Sequence, residues 1–220
     1  MSSPAVPSKL ILASRSPRRR ELLAEAGYQF EVVPPCEAAE SEGCGEGIGP
    51  QESAAELVAR LAYRKAADVA RRVGAGVIVG CDTVAECDGQ ILGKPADEAD
   101  ARRMLTTLRG REHRVVSGLC VWKTPGGPPR VRVEVTTVRL DQLTDAQVEL
   151  YLAGGQWRGK AGAFGYQDRL GWVEIVRGSE SNVVGLPLEL LAKLLAEVSR
   201  ADAAPAPVRP CPSGPSAPEP

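Results

Sequence analysis

The segment Val77-Ile78-Val79-Gly80-Cys81-Asp82-Thr83-Val84 constrains this chain more than any other. An apolar run so short and so rich in β-branched residues reads as a buried strand, because branched side chains pack well on a pleated surface. Gly80-Cys81-Asp82 sets a carboxylate at its carboxyl end, where open α/β sheets hold ligands. An Asp88-Gly89 pair follows, and such pairs favour hairpins. Ile91-Leu92-Gly93-Lys94-Pro95 therefore returns a cation towards the same mouth. An acid and a base at one strand end fit a phosphorylated ligand, with Asp82 either collecting a metal or taking a proton from water. A plainer reading explains this motif alone equally well: Asp82 caps the turn and Lys94 is a solvated loop charge.

The rest of the chain carries strand and helix patterns in turn. Strands are expected at 9–14, 30–33, 114–122, 131–140 and 172–176, and the pair 114–122 and 131–140 reads as an antiparallel hairpin. A helix should open at Ser16-Pro17, with Ser16 as cap, and stop at Gly27. Arg18 and Arg19 fall in its first turn, where cations oppose the helix dipole. That arrangement makes a phosphate cradle with the Ser14 and Ser16 hydroxyls beside it, or else a solvated basic face. Residues 34–51 form a long loop rich in Gly and Glu, of the kind that serves as a lid or binding segment. Glu37 and Glu40 could reach a metal from it. Further helices are expected at 52–73, 97–108, from a Thr144/Gln147 capping box to Gly154, and at 186–199. Lys65 lies mid-helix and by itself reads as a solvated charge. His113, the one histidine in the chain, reads as a hydrogen-bonded loop residue and not a base, since no partner acid can be named.

Gly154-x-x-x-x-Gly159-Lys160-Ala161 has the spacing of a phosphate-binding P-loop until its last position. There Ala161 replaces the hydroxyl that would hold magnesium, and the segment follows a helix where a P-loop follows a strand. Residues 160–167 are instead a glycine-rich loop carrying Lys160 and Gln167. Its backbone can approach a ligand closely and Gln167 can offer a donor and an acceptor to a base edge. An ordinary sheet corner would look the same.

Composition excludes several classes of function. With 27 basic and 28 acidic residues the net charge is −1, which favours neither a nucleic-acid nor a membrane partner. No apolar segment is long enough to span a bilayer, and residues 1–8 lack the apolar core of a signal peptide, so a cytoplasmic location is expected. The six cysteines form no C-x-x-C pair, and free buried thiols are expected, not a zinc site. Residues 9–200 should make one domain, with a disordered start at 1–8 and a disordered Pro/Ala-rich tail at 201–220.

Together the motifs resemble the Maf family of nucleoside triphosphate pyrophosphatases. They are Leu12-Ala13-Ser14-Arg15-Ser16-Pro17-Arg18-Arg19, Leu61-Ala62-x-x-Lys65-Ala66, Gly80-x-Asp82-Thr83, Gly93-Lys94-Pro95, Lys160-Ala161-Gly162-Ala163-x-Gly165-x-Gln167 and Val184-Gly185-Leu186-Pro187. They occur in that family's order, from about residue 9 to 199. The resemblance implies an α/β fold like that of inosine triphosphate pyrophosphatases: an elongated, bent mixed sheet flanked by helices, with two lobes around a nucleotide cleft. It implies hydrolysis between the α and β phosphates, dependent on Mg²⁺ or Mn²⁺, and makes a homodimer an expectation.

Asp82 matches the family's proton acceptor; Ser14, Arg18, Arg19, Lys65 and Lys94 match positions around the triphosphate, which reverses the bland reading of Lys65. Lys160 belongs to the matched glycine-rich segment. Glu40, or Glu37, matches an acid that helps hold the metal, and Asp82 as a metal ligand remains open beside Asp82 as a base. Arg19, Thr83 and Gln167 match the combination that marks enzymes acting on dTTP and UTP, with a possible role in clearing modified nucleotides. Turnover of 7-methyl-GTP and nucleotide binding without turnover, as in a regulator of cell division, are the alternatives. One position departs: the family's usual Asp-Lys-Ala-Gly is here Gly159-Lys160-Ala161-Gly162.

Overall fold

The computed structural model describes residues 9–41 and 52–203, with side chains for 9–39 and 52–200. Its elements in chain order are β1 (Leu10–Ala13), α1 (Pro17–Glu25), β2 (Phe30–Val32), α2 (Glu37–Ser41), α3 (Ala54–Ala70), β3 (Gly76–Cys87) and β4 (Gln90–Leu92). There follow α4 (Glu98–Leu108), β5 (Glu112–Thr124), β6 (Arg130–Leu140), α5 (Asp145–Ala153), β7 (Val173–Arg177), α6 (Glu180–Val184) and α7 (Leu188–Ala203). The strands form one mixed sheet in the order β2-β1-β3-β5-β6-β7, with β4 also on β3. β1 runs parallel to β2 and β3, whereas β3, β5, β6 and β7 pair antiparallel in turn.

β3 organises the sheet. Along one side it pairs with β5 from Gly76 to Glu86 without a break. Along the other, Val77–Gly80 pair with β1 and Ala85–Cys87 pair with β4. Residues 81–84 therefore have no strand beside them on that side among the described residues. Asp82 thus lies in a mid-strand gap and not at the strand's carboxyl end. The strand continues past its apolar run because the Asp88-Gly89 turn, with both residues at positive φ, folds β4 back onto it; paired backbone extends the strand where hydrophobicity alone does not.

The two-residue period of a strand sorts its side chains. Ile11, Ala13, Ile78 and Cys120 face α3 and pack on Ala62, Ala66 and Val69. Leu10, Leu12, Val77, Val79 and Cys81 face the other way, towards Leu23, Leu186 and the α7 residues Leu191, Leu194 and Val198. Beyond the gap a separate core gathers Ala85, Leu92, Met104, Leu105, Leu108, Leu140, Tyr151, Leu152 and Trp157. Two apolar centres thus flank a cleft opened by the gap in β3.

α3 lies close against the sheet because two facing positions have no side chain. A Cβ on Gly80 would come within 2.3 Å of the Ala62 carbonyl oxygen, and one on Gly118 within 2.1 Å of that of Val58. The helix starts in a capping box between Ser53 and Glu56 that the sequence reading did not single out.

Several expectations shift locally. Part of the expected 34–51 loop is the helix α2, and 42–51 lie outside the described residues. Ser16 makes no side-chain cap; its N–H donates to Ser14 Oγ at 3.2 Å, and Pro17 alone presets the first turn. Between the strand and helix expected at 172–176 and 186–199 lies the short helix α6, capped by Ser179. Cys81, Cys87 and Cys120 are buried free thiols, with burial pushing that of Cys120 up to about 12; Cys36 is exposed, and Cys44 and Cys211 lie outside the described residues. α7 runs a few residues into the expected tail, while 1–8 and 204–220 also lie outside the described residues. Among the described residues no helix is long and apolar enough to cross a membrane.

Candidate active site

Parity along β3 decides what Asp82 and Thr83 meet. Asp82 shares the face of Ile78 and Gly80, and so points to α3. There Lys65 Nζ donates to its Oδ1 at 2.7 Å. The Lys65 side chain is 3% exposed and that of Asp82 17%, so this is a largely dehydrated pair opening on the cleft. Breaking such a pair from one side strands a buried charge, which costs roughly 3–5 kcal/mol. Asp82 Oδ2 makes no hydrogen bond among the described residues and remains available to a ligand.

Thr83 points to the opposite face and meets Arg19. This guanidinium is buried and spends each of its nitrogens: Nε donates to the Gly185 carbonyl at 2.8 Å, Nη1 to Ser14 Oγ at 3.2 Å and Nη2 to Thr83 Oγ1 at 3.1 Å. Thr83 Oγ1 lies 2.8 Å from Ser117 Oγ, its cross-strand neighbour on β5. Gly185 ends α6 at a φ of +124°, and α6 is anchored by Asn182. The buried Asn182 Nδ2 donates to the Val115 carbonyl at 3.1 Å and to Thr136 Oγ1 at 3.0 Å. A planar, five-donor cation is the side chain that can join β1, β3 and α6 in this way.

Arg18, one residue earlier, reaches across the cleft to donate to the Gly159 carbonyl at 2.7 Å. Burial and the neighbouring Arg19 lower its pKa, and the Asp168 carboxylate opposes that shift. The cleft itself has a volume of about 280 Å³. Ser14, Arg18, Arg19, Asp82, Thr83 and Lys94 line it, together with Gln167 and the glycine-rich run. Leu108, Val115, Val138, Phe164 and Val173 supply apolar walls. Cations at one part and apolar surface at another suit a ligand with an anionic group and a flat, weakly polar body.

Of the residues singled out from sequence, Ser14, Arg18, Arg19, Asp82, Thr83, Lys94 and Gln167 converge on this cleft, and Lys65 joins through Asp82. Lys160 does not line it. Its ammonium donates to both carboxylate oxygens of Asp168, which also accepts from Tyr151 Oη at 2.8 Å. Glu40 sits on α2 with its side chain outside the described residues, and Glu37 on the same helix is exposed.

His113 is not a loop residue as its sequence position suggests: it is the second residue of β5, buried, and part of the cleft wall. The Glu-His-Arg run preceding Val115 hid it, because the charged flanks conceal a strand that is apolar only from Val115 onward. Burial lowers its pKa, and its Nδ1 lies 3.4 Å from the Arg111 carbonyl oxygen. Asp168 carried no signal in the sequence beyond following Gln167.

A divalent cation can be tested against these side chains. Among the described residues no three acid, histidine or cysteine side chains gather into a protein-only metal cage. A magnesium-type ion is commonly held by one or two carboxylates plus substrate phosphates. Asp82 Oδ2, without a hydrogen bond among the described residues and in a cleft that Arg18, Arg19 and Lys94 also line, fits that second pattern.

A family model described as "Maf-like protein" matches residues 9–198. A dTTP/UTP pyrophosphatase of Rhodopirellula baltica is 50% identical over 190 residues, covering 86% of this chain and 82% of its own. One from Thermococcus gammatolerans is 45% identical over 186 residues, covering 84% of this chain and 94% of its own. Among solved structures, the Staphylococcus aureus Ham1 protein matches with a TM-score of 0.47 at 13% identity, over 87% of this chain and 100% of that one.

Proposed function

The chain belongs to the Maf family, and from that premise we propose that it hydrolyses dTTP and UTP to the nucleoside monophosphate and pyrophosphate. The relatives named above carry that activity in their names. The single observation that carries the reading is the dehydrated Lys65–Asp82 pair in the gap of β3, facing a cleft lined by Arg18, Arg19 and Lys94.

Water attacking the α phosphorus adds negative charge to a group already highly charged, so fixed cations around the leaving pyrophosphate lower the barrier. Arg18 and Lys94 are positioned to meet the phosphates, and Arg19 orders the floor beneath them. Asp82, held at one oxygen by Lys65, keeps the other for the attacking water or for the ion. A Mg²⁺ or Mn²⁺ held by Asp82, by an acid of α2 such as Glu40 or Glu37 and by phosphate oxygens would supply charge neutralisation and a more acidic water. Gln167, which lines the same cleft as Arg19 and Thr83, would present its amide to the edge of the pyrimidine. Modified pyrimidine triphosphates of the same shape would enter the same cleft, and their removal from the nucleotide pool is the role such an activity would serve.

The test is pyrophosphate release by the purified protein from a panel of triphosphates with Mg²⁺ or Mn²⁺. The expected result is preference for dTTP and UTP over dCTP, GTP and 7-methyl-GTP. Faster turnover of 7-methyl-GTP would reassign the substrate, and tight binding of dTTP with no pyrophosphate released would make the protein a nucleotide-binding regulator.

A further inference from the structure

The cleft wall from Ala161 to Gln167 has little regular structure to hold it. It contains two short 3-10 turns, Ala161–Ala163 and Tyr166–Asp168, and visits positive φ at Gly162 and Ala163. Side chains close it instead. Lys160, just before the wall, and Asp168, just after it, form an ion pair in which both side chains are only 10% exposed. Tyr151 of α5 donates to Asp168 Oδ2, and its ring packs 5.3 Å from that of Phe164 and 5.9 Å from that of Trp172. The bracket is therefore fastened to the second apolar core.

We propose that Asp168 is the positioning residue for nucleobase selection: by holding Lys160 and Tyr151 it fixes the wall that carries Gln167. Gly165 shows how tightly the parts fit. A Cβ there would lie 2.8 Å from Lys160 Nζ and 2.9 Å from Gln167 Nε2, so the selecting amide rests against the bracket with only a glycine between. Backbone groups at and just before the wall also meet neighbouring parts of the cleft. The Gly162 N–H donates to the Gly93 carbonyl at 3.0 Å, next to Lys94, and the Gly159 carbonyl accepts from Arg18. Asp168 itself does not line the cleft, and burial weakens the hold of Lys160 on its proton while the Asp168 charge strengthens it. The carboxylate facing Lys160 thus comes from position 168, in a chain with glycine at 159.

This inference rests on the pyrophosphatase reading, and the experiment separates the two. In the full-length protein, Asp168→Asn keeps the shape of the side chain and an acceptor for Tyr151 but removes the charge. KM for dTTP and UTP should rise by about tenfold to a hundredfold, the scale of a small misplacement of a binding wall. By contrast kcat should change by no more than about twofold, and the preference for dTTP over dCTP should shrink. Asp168→Glu should recover part of that preference.

Calorimetric binding of the non-hydrolysable α,β-methylene analogues of dTTP and dCTP reads the same preference where no pyrophosphate is released. Asp168→Asn protein with unchanged KM and preference, or with kcat alone reduced for every nucleotide, overturns the proposal. If that variant does not fold, Lys160→Met/Asp168→Leu removes both charges and leaves no lone buried ion. It should fold and lose the preference for dTTP over dCTP, and a retained preference overturns the proposal equally.

Discussion

At Asp82 and Thr83 two adjacent residues of one strand do different work because they face opposite sides of the sheet. Asp82 meets the Lys65 ammonium under α3, and Thr83 meets the Arg19 guanidinium under α6. Arg19 joins three acceptors that a single ammonium cannot reach together, so Arg19→Lys should lower kcat/KM for dTTP by about two orders of magnitude, as charge-assisted bonds are lost. Steady-state kinetics check it, and an unchanged kcat/KM would remove Arg19 from the site. His113 gives a pH dependence. Burial lowers its pKa below the ordinary 6.5, so the unfolded chain binds that proton more readily than the folded one. Its contribution to stability is therefore whole above 6.5 and is lost as pH falls from there through the folded value. Urea unfolding between about pH 7.5 and 5 should show that decline, and His113→Gln should flatten it. Residue types at fixed spacing made Ser14, Arg18, Arg19, Asp82, Lys94 and Gln167 legible in the sequence, whereas Thr83 entered only with the family's motif. Lys65 needed the family's motif, because nothing local distinguishes a lysine under a sheet from a solvated one. His113 and Asp168 were not legible, since burial and partners come from segments distant in the chain.

The elements were recognisable by their periods, yet their closest approaches were not. The apolar face of α3 reads directly from Leu57, Val58, Leu61 and Ala62, but nothing in Gly80 or Gly118 announces that a helix backbone lies against them. A methyl at either would meet carbonyl oxygens that cannot step aside without moving the helix. Gly118→Ala should therefore cost about 1–3 kcal/mol in chemical unfolding, the usual penalty for overpacking. It should also reduce turnover, since Lys65 rides on the displaced helix opposite the Gly118 partner, Asp82. A neutral substitution in both assays would mean that α3 is free to shift. Strand ends were misjudged for a related reason: the apolar run of β3 stops near Val84, whereas its pairing with β5 and β4 continues to Cys87.

On the scale of the whole molecule, the cleft exists because one long strand serves two apolar cores and is left without a partner between them. The sequence announced an α/β sheet and the acids and bases around it; the gap follows from registers between segments up to seventy residues apart, which no local pattern encodes. Everything proposed for the site depends on Asp82 standing in that gap with one oxygen on Lys65 and its side chain lining the cleft. The most direct measurement is pyrophosphate release from dTTP and UTP by Asp82→Asn beside the unaltered protein, with calorimetric binding of a non-hydrolysable dTTP analogue to both. The account predicts that turnover falls by at least about a hundredfold while the analogue still binds within about tenfold of the unaltered protein. Turnover that survives Asp82→Asn would contradict it.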